Sequence, residues 1–344
     1  MRIDHNENVV DAEVVADRVI AAVREYRASA SPLEHAACLV DAEEALALAE
    51  YPDVDALCDA ADKIVRACCE AGHVDTCSII NARAGLCGED CAWCAQATRY
   101  KTGCVTYNAI DLDEVFEAAS ANERAGVRRF SMVTSGRKVS DKDLPHFLAI
   151  YSELGKRTGL SLCASMGLLD RGQMHKLREV GVRRYHCNME TSERFFSKLC
   201  SSHTPADKKA TIAAARAEGM EICSGGIIGM GESMRDRVEF AMELRSLGVD
   251  SVPINILNPM KGTPLENIPL IGEEEVIRTA AMFRFVLPTQ NIRFAGGRAR
   301  MSEASTRRML RGGVNGIMMG DLLTSVGNKM EQDRRMLAEL GLHT

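Results

Sequence analysis

The sequence lacks an excess of basic residues and lacks any long uncharged apolar run. Its 42 lysines and arginines stand against 48 aspartates and glutamates, a formal net charge of −6, so no basic surface indicates nucleic-acid binding. Met1–Asn8 is polar, and charges interrupt the amphipathic pattern of Val9–Val23, so neither a signal peptide nor a membrane span is predicted. We therefore expect a cytoplasmic protein without a membrane or nucleic-acid partner.

Residues 74–325 also lack a Pro/Gly-rich linker, a low-complexity segment and a run of like charges, so no domain boundary is predicted inside them. A hydrophobic fraction of 46% with 26% charged residues is typical of a globular chain with a large core. The length of 344 residues exceeds that of most single domains, but single α/β barrels reach it.

Residues 1–73 have Ala/Leu/Glu-rich helical patterns, which predict an N-terminal helical extension. From residue 74 onward, an amphipathic helix, a glycine and a strand of four to seven residues recur. The predicted strands contain Thr76–Ile80, Arg129–Thr134, Ser161–Ser165, Arg184–Met189, Glu221–Ile228, Ser251–Leu257, Asn291–Ala295 and Asn315–Met319. Eight strands that alternate with helices, one of them near Glu273–Val286, predict an α/β fold: a TIM-type (β/α)8 barrel over residues 74–325 and a helical tail at 326–344.

The chain holds 13 cysteines, an odd count that fits poorly with a closed set of disulfides. Cys87, Cys91 and Cys94 follow the first predicted strand, at spacings of four and three residues, in a run that includes the only tryptophan. Three thiolates at one point can hold three irons of a four-iron cluster and leave the fourth iron open to a cofactor or substrate. A structural zinc site completed by Cys77 or Cys104, and chance clustering, are the alternatives.

A glycine-rich loop ends the fifth predicted strand. Its position after a barrel strand and before a helix predicts backbone contacts to a cofactor, although tight turns alone would also explain the glycines. The residues concerned are Gly225, Gly226, Gly229, Gly231 and Glu232.

Polar residues alternate along the end of the fourth predicted strand, where His186, Asn188 and Glu190 share one face. Asn188 and Glu190 could hydrogen-bond a ribose or an amino-acid group; a polar cluster that caps the next helix is the alternative. Cys163 and Cys223 each lie four residues after a glycine, at about one depth in the barrel. Two thiols at that depth could hold a second cluster or be inert and buried.

Several stretches together resemble the biotin synthase family of the radical S-adenosylmethionine superfamily. The spacing C-x3-C-x2-C followed by Gln96 is similar to the signature of the superfamily. The stretches that resemble the narrower family are residues 87–103, 222–232, 252–257 with 262–265, and 292–298, and the resemblance extends from about Ser78 to Leu342.

The resemblance implies a radical enzyme that converts dethiobiotin to biotin with two reductive cleavages of S-adenosylmethionine. The 4Fe-4S ligands that it implies are Cys87, Cys91 and Cys94. It also implies that Trp93 lies beside the adenine, that Asn188 and Glu190 bind the cofactor, and that Asn188 and Asn255 lie near the ureido ring of the substrate. A flavodoxin or ferredoxin as electron donor and a homodimeric assembly are the implied partners.

The resemblance further implies an auxiliary iron-sulfur cluster, usually 2Fe-2S, that donates the sulfur and is held by three barrel cysteines and an arginine. Cys163, Cys223 and Arg293 match three of these positions. Ser131 stands where the family usually has the remaining cysteine. The auxiliary site is therefore where this sequence departs from the family pattern.

We hypothesise that Cys187, with Cys200 in the following loop, joins the two matched cysteines around a rebuilt cluster of two or four irons. Strand alternation opposes this hypothesis, because Cys187 and Asn188 should face opposite ways unless a bulge intervenes. The alternatives for the whole chain are a related radical enzyme that acts on another small molecule and a non-catalytic iron-sulfur carrier.

Overall fold

The computed structural model of the chain describes residues 10–29, 39–320 and 330–344. The parts of the predicted extension, barrel and tail at residues 1–9, 30–38 and 321–329 lie outside the described residues. Within the described ranges, no helix is both long enough and apolar enough to cross a membrane.

The centre of the fold is a closed barrel of parallel strands. In chain order they are β1 Asp75–Arg83, β2 Arg129–Thr134, β3 Ser161–Ser165, β4 Arg184–His186, β5 Glu221–Cys223, β6 Gly226–Ile228, β7 Ser251–Ile256, β8 Asn291–Phe294 and β9 Gly316–Met318. Their order is β5-β4-β3-β2-β1-β9-β8-β7-β6, and β7 also pairs with β5, which closes the ring. Since β5 and β6 are two segments of one barrel strand, the ring has eight strands and confirms the predicted TIM-type barrel.

Two strands differ from their predicted extents. The fifth predicted strand is interrupted between β5 and β6, where a Cβ at Gly225 would lie only 2.0 Å from the carbonyl oxygen of Pro253. The fourth strand ends at His186, three residues earlier than predicted. The chain turns soon afterwards at Glu190, whose φ of 76° is left-handed and does not continue a strand.

Helices cover the outside of the barrel. They are α1 Ala12–Ser29, α2 Ala42–Ala49, α3 Val54–Cys68, α4 Leu112–Arg124, α5 Leu144–Arg157, α6 Arg171–Glu179, α7 Glu193–Phe196, α8 Pro205–Ala217, α9 Met234–Ser246, α10 Glu273–Val286, α11 Glu303–Leu310 and α12 Met330–Glu339. The helix predicted near residue 273 is confirmed as α10. Reciprocal side-chain caps start three of the described helices, with Asp170 and Gln173 at α6, Thr204 and Asp207 at α8, and Ser233 and Asp236 at α9.

The N-terminal helices lie against the barrel helices. Helix α3 packs on α1 and α10, and the buried apolar residues of these helices belong to the same hydrophobic core as the barrel. The division of the chain into an extension at 1–73, a barrel at 74–325 and a tail at 326–344 stays a prediction.

A buried ion cluster ties four strands together at the amino-terminal end of the barrel. Asp75 on β1 accepts hydrogen bonds from Arg129 Nε (3.1 Å) and Arg184 Nη1 (3.2 Å), and it also pairs with Arg293 Nη2. Burial opposes the charge of Asp75, but the three guanidinium groups outweigh it and lower its pKa to about 2. The cluster therefore fixes the relative positions of β1, β2, β4 and β8.

Replacement of Asp75 by asparagine should lower the free energy of unfolding of the chain without bound iron by about 2 kcal/mol or more at neutral pH. This value follows from the difference between a folded-state pKa of about 2 and the ordinary 3.8. Because the folded-state pKa is lowered, this contribution is complete above about pH 4 and is lost as the pH falls towards 2. Urea unfolding at neutral and acidic pH measures both effects. The exposed Asp113→Asn at the start of α4 is the control, and an equal stability of the two variants would contradict the assigned role.

Candidate active site

Two adjoining cavities lie at the carboxyl ends of the barrel strands. The larger measures about 380 Å³ and reaches into the barrel, and the smaller measures about 210 Å³ and lies beside it. Both are lined by Trp93, Cys94, Gln96, Ser165, His186, Asn188 and Glu190. These shared residues join the two cavities into one candidate site.

The loop after β1 carries Cys87, Cys91 and Cys94, and all three thiols line the smaller cavity. Backbone hydrogen bonds hold the loop: Cys87 N donates to Gln96 O (3.1 Å), and Cys94 N donates to Cys91 O (3.0 Å). Burial raises the pKa of the Cys94 thiol to about 11, so a metal centre has to displace its proton. The structure thus brings the three predicted cluster ligands to one cavity.

The surroundings of these thiols fit a cluster with a bound cofactor. Thr134 Oγ1 lines the smaller cavity and is buried with no hydrogen-bond partner in the described part of the chain. Lys208 lines the same cavity with 7% of its surface exposed, and no described carboxylate lies within ion-pair distance of its ammonium group. A buried hydroxyl and a buried cation of this kind fit a ligand with polar and anionic groups.

Asn188 and Glu190 form the wall between the two cavities. Asn188 Nδ2 donates to Glu190 Oε2 (3.3 Å), and Asn188 Oδ1 accepts from Gly225 N (3.0 Å). Burial raises the pKa of Glu190. Trp93 lines both cavities from the cysteine loop and packs edge-to-face on Phe196, with ring centroids 6.4 Å apart.

The predicted backbone contacts of the glycine-rich loop to a cofactor stay a prediction. Glu232 accepts hydrogen bonds from Gly229 N and Met230 N, both at 2.7 Å, and pairs with Arg237 at 2.7 Å, so its carboxylate holds the loop itself. The predicted residues that line neither cavity are Gly225, Gly226, Gly229, Gly231 and Glu232. Ile227, which lies between Gly226 and Gly229, lines the larger cavity and was not among the predicted residues.

Asn255 lines the larger cavity on β7, as the resemblance implies for a residue near the substrate. Its Nδ2 donates to Gly226 O (2.9 Å), and its Oδ1 accepts from Gly296 N (2.8 Å). Both polar ends of the side chain are therefore bonded to backbone, and Asn255 links β6 to the loop after β8.

The inner end of the larger cavity is lined by three cysteines, Cys77, Cys163 and Cys223, and by two arginines, Arg184 and Arg293. Interaction between the neighbouring thiols lowers the pKa of Cys77 and raises that of Cys163, against burial that raises both. Cys223 Sγ lies 3.3 Å from His186 Nδ1; burial opposes ionisation of both groups, yet this contact lowers the pKa of Cys223 and raises that of His186. The Nε of Arg293 is buried there with no hydrogen-bond partner among the described residues.

Cys77 is the residue of this group that the sequence reasoning missed, since it was considered only as a zinc ligand. Cys77 lies on β1 two residues before Ile79, so the side chains of Cys77 and Ile79 point to the same face of the strand, which is the barrel interior. The alternation of side chains along the predicted first strand was the signal that could have identified Cys77. Ser131 itself lines the cavity without a thiol.

Cys187 and Cys200 do not join the thiols inside the barrel. Cys187 follows the end of β4 at His186, and it lines the smaller cavity and not the larger one. Cys200 lies beside the cysteine loop, with its Sγ 3.8 Å from that of Cys91. The hypothesis that these two cysteines replace the missing ligand at Ser131 is therefore not supported by their positions.

Two family models and several known proteins match this chain. A family model described as the radical SAM superfamily matches residues 84–257, and one described as the biotin and thiamin synthesis associated domain matches residues 253–343. The chain is 46% identical over 299 residues to the biotin synthase of Parabacteroides distasonis, covering 87% of this chain and 91% of that one. It is 48% identical over 270 residues to the biotin synthase of Acetivibrio thermocellus, covering 78% and 84%.

Solved structures share the fold. Methylornithine synthase superposes with a TM-score of 0.80 at 16% identity, covering 95% of this chain and 96% of that one. The FeFe-hydrogenase maturase HydG of Carboxydothermus hydrogenoformans superposes with a TM-score of 0.75 at 14% identity, covering 96% and 83%. At such low identity these likenesses show the fold alone.

The close approach of β6 to Glu190 gives a test of the cavity wall. A Cβ at Gly226 would lie 2.1 Å from Glu190 O, so Gly226→Ala should push the two segments apart and destabilise the chain by about 1–3 kcal/mol. Urea unfolding followed by circular dichroism measures this loss. Gly172→Ala in α6, whose nearest atom would be 3.5 Å away, is the control, and equal stability of both variants would contradict the close packing.

Proposed function

The chain belongs to the biotin synthase family of radical S-adenosylmethionine enzymes, and we propose that the sulfur it inserts into dethiobiotin comes from an iron-sulfur cluster held inside the barrel. The observation that carries this proposal is the group of three buried thiols at the inner end of the larger cavity. Because the relatives of this chain are enzymes, the alternative of a non-catalytic iron-sulfur carrier is not favoured.

Cys87, Cys91 and Cys94 would hold the 4Fe-4S cluster, since all three line the smaller cavity. When bound, this cluster supplies the electron that cleaves S-adenosylmethionine to methionine and a 5′-deoxyadenosyl radical, which takes hydrogen from the substrate. Trp93 and Leu257 line the larger cavity and would limit the access of water to that radical.

Polar side chains around the smaller cavity would bind S-adenosylmethionine. Lys208 would pair with the methionyl carboxylate, because it is a buried cation that no described carboxylate neutralises. Glu190 and Asn188 would accept and donate hydrogen bonds to the ribose or the amino group, and Trp93 would lie against the adenine. Thr134 Oγ1 offers a further donor.

We propose Cys77, Cys163 and Cys223 as the protein thiolates of the auxiliary cluster. Cys77 takes the place of the cysteine that is absent at Ser131. Arg293 matches the family's arginine, and its Nε has no hydrogen-bond partner in the described chain, although its Nη2 is paired with Asp75. The three thiols lie on β1, β3 and β5, so the cluster would cross-link separate strands.

The larger cavity between the two proposed clusters would hold dethiobiotin. Asn188 and Asn255 line it from the ends of two strands, near where the ureido ring is expected. Its apolar side, which includes Ile79, Val133 and Ile227, suits the carbon chain of the substrate. A flavodoxin or ferredoxin as reductant, a homodimeric assembly and a cytoplasmic location stay predictions.

The sulfur source can be traced with an isotope. The chain is loaded anaerobically with iron and 34S-sulfide, freed of unbound sulfide, and incubated with dethiobiotin, S-adenosylmethionine and a reductant. We expect biotin that carries 34S, in an amount no greater than the auxiliary clusters present, as measured by mass spectrometry. Unlabelled biotin would contradict donation from the cluster.

The ligand set is tested in a chain that has Cys87, Cys91 and Cys94 replaced by alanine, so that only the auxiliary cluster can form. Adding Cys77→Ala should reduce bound iron and sulfide to background, because one of three thiolates is lost. Cys187→Ala in the same chain is the control and should leave the content unchanged. If iron and sulfide were lost only on replacement of Cys187, the result would favour the hypothesis that Cys187 is a ligand of the auxiliary cluster.

The proposed carboxylate contact is tested by Lys208→Gln in the cluster-loaded chain. Loss of a charge-assisted hydrogen bond should weaken S-adenosylmethionine binding by about 10- to 100-fold in equilibrium dialysis. The adjacent Lys209→Gln is the matched control, since Lys209 is paired with Glu193 (2.8 Å) and Glu243 (2.7 Å) outside the cavity. Equal affinities of the two variants would show that Lys208 does not bind the cofactor.

A further inference from the structure

A second metal-binding arrangement lies beside the cysteine loop and includes one of its thiols. Cys91 Sγ lies 3.8 Å from Cys200 Sγ, and Cys200 Sγ lies 3.9 Å from His203 Nε2 and 3.4 Å from His203 Nδ1. The ligand atoms of these three residues all lie within 4.8 Å of one another. Cys200 and His203 are buried, on the loop between α7 and α8.

The spacing of these atoms matches a tetrahedral zinc site. With Zn–S bonds of about 2.3 Å and Zn–N bonds of about 2.0 Å, tetrahedral angles place two sulfurs about 3.8 Å apart and a sulfur and a nitrogen about 3.5 Å apart. The observed separation between the sulfurs is 3.8 Å, and Cys200 Sγ lies 3.9 Å from His203 Nε2, about 0.4 Å more than the tetrahedral value, so a small movement of the ring would complete the geometry. Cysteine and histidine are also the ligands that zinc prefers.

A carboxylate orients the histidine. Glu89 Oε2 lies 2.6 Å from His203 Nδ1, so Nδ1–H donates to Glu89 and Nε2 is left as the metal-binding atom. This is the carboxylate–histidine pairing that commonly supports zinc ligands. Asp90 Oδ1 accepts hydrogen bonds from Cys200 Sγ (3.1 Å), Ser201 N (2.9 Å) and Ser202 N (3.0 Å), so the fourth position is left to a ligand from solvent.

We propose that the cluster-free chain binds one zinc ion through Cys91, Cys200 and His203, and that zinc and the 4Fe-4S cluster compete for Cys91. The zinc site itself depends only on residues in the structure. The competition rests on the proposed function, because it requires Cys91 to be a cluster ligand. Zinc in this site withholds a thiolate from the cluster and ties the cysteine loop to the loop before α8.

Cobalt(II) is the probe for the site, because thiolate-bound tetrahedral cobalt absorbs strongly and zinc displaces it. The iron-free chain is titrated with Co²⁺ in a phosphine reductant, which excludes a Cys91–Cys200 disulfide. We expect one equivalent of cobalt with thiolate absorption, reversed by Zn²⁺. Cys200→Ser and His203→Ala should each weaken cobalt binding at least tenfold.

The control variants are Cys87→Ser and Cys94→Ser, which should bind cobalt as the unaltered chain does. If instead these two variants lose cobalt and Cys200→Ser keeps it, the metal is held by the cysteine loop alone and the proposed site is wrong. Circular dichroism of each variant separates loss of the site from loss of the fold.

Competition is measured by loading iron and sulfide into chains that first received one equivalent of zinc. Zinc should slow the appearance of the cluster absorption in the unaltered chain and should have little effect in Cys200→Ser. Equal inhibition of both chains would overturn the competition. A zinc-free Cys200→Ser chain that assembles a cluster and cleaves S-adenosylmethionine would leave the proposed function standing whatever the zinc result.

Discussion

The ion cluster around Asp75 is the constraint on which the inner end of the site depends. One carboxylate faces the guanidinium groups of Arg129, Arg184 and Arg293, and these four residues lie on four different strands. Three positive charges face one negative charge, which leaves an excess of two positive charges among these four residues. Arg129 and Arg184 also form ion pairs with the half-exposed Glu221. Buried charge of one sign is costly unless it faces opposite charge. The thiolates of the proposed auxiliary site, and the anionic iron-sulfur cluster that they would hold, would provide that charge.

The upper part of the site depends on a different constraint, the close approach of two backbones. Glu190 adopts a left-handed φ of 76°, and its carbonyl accepts from Ile227 N at 2.9 Å across a contact that only glycine at position 226 permits. Strained backbone of this kind persists where surrounding contacts hold it, and it is common at ligand sites. Here it turns the Glu190 side chain into the wall shared by the two cavities.

The sequence was sufficient for the barrel because helix, glycine and strand recur with a clear period, and the starts of β2, β3, β4, β5, β7 and β8 fall at the predicted residues. It was sufficient to predict that Cys87, Cys91 and Cys94 lie together, because their spacing is local, and all three line the smaller cavity. It was not sufficient for Cys77, whose neighbours Cys163 and Arg293 are distant in sequence and meet it only through the strand order. The break at Gly225 was missed because it depends on a contact with Pro253 on another strand.

Cys91 lies close both to cysteines that are near it in the sequence and to metal-binding residues that are distant in the sequence. Its spacing to Cys87 and Cys94 predicts a cluster ligand, while the fold places the ligand atoms of Cys200 and His203 within 4.8 Å of its sulfur. A thiolate cannot belong fully to a three-cysteine cluster site and to a tetrahedral zinc site at once, since the two require different ligand separations. The metal that reaches the loop first therefore decides whether the chain carries a redox-active centre or an inert one.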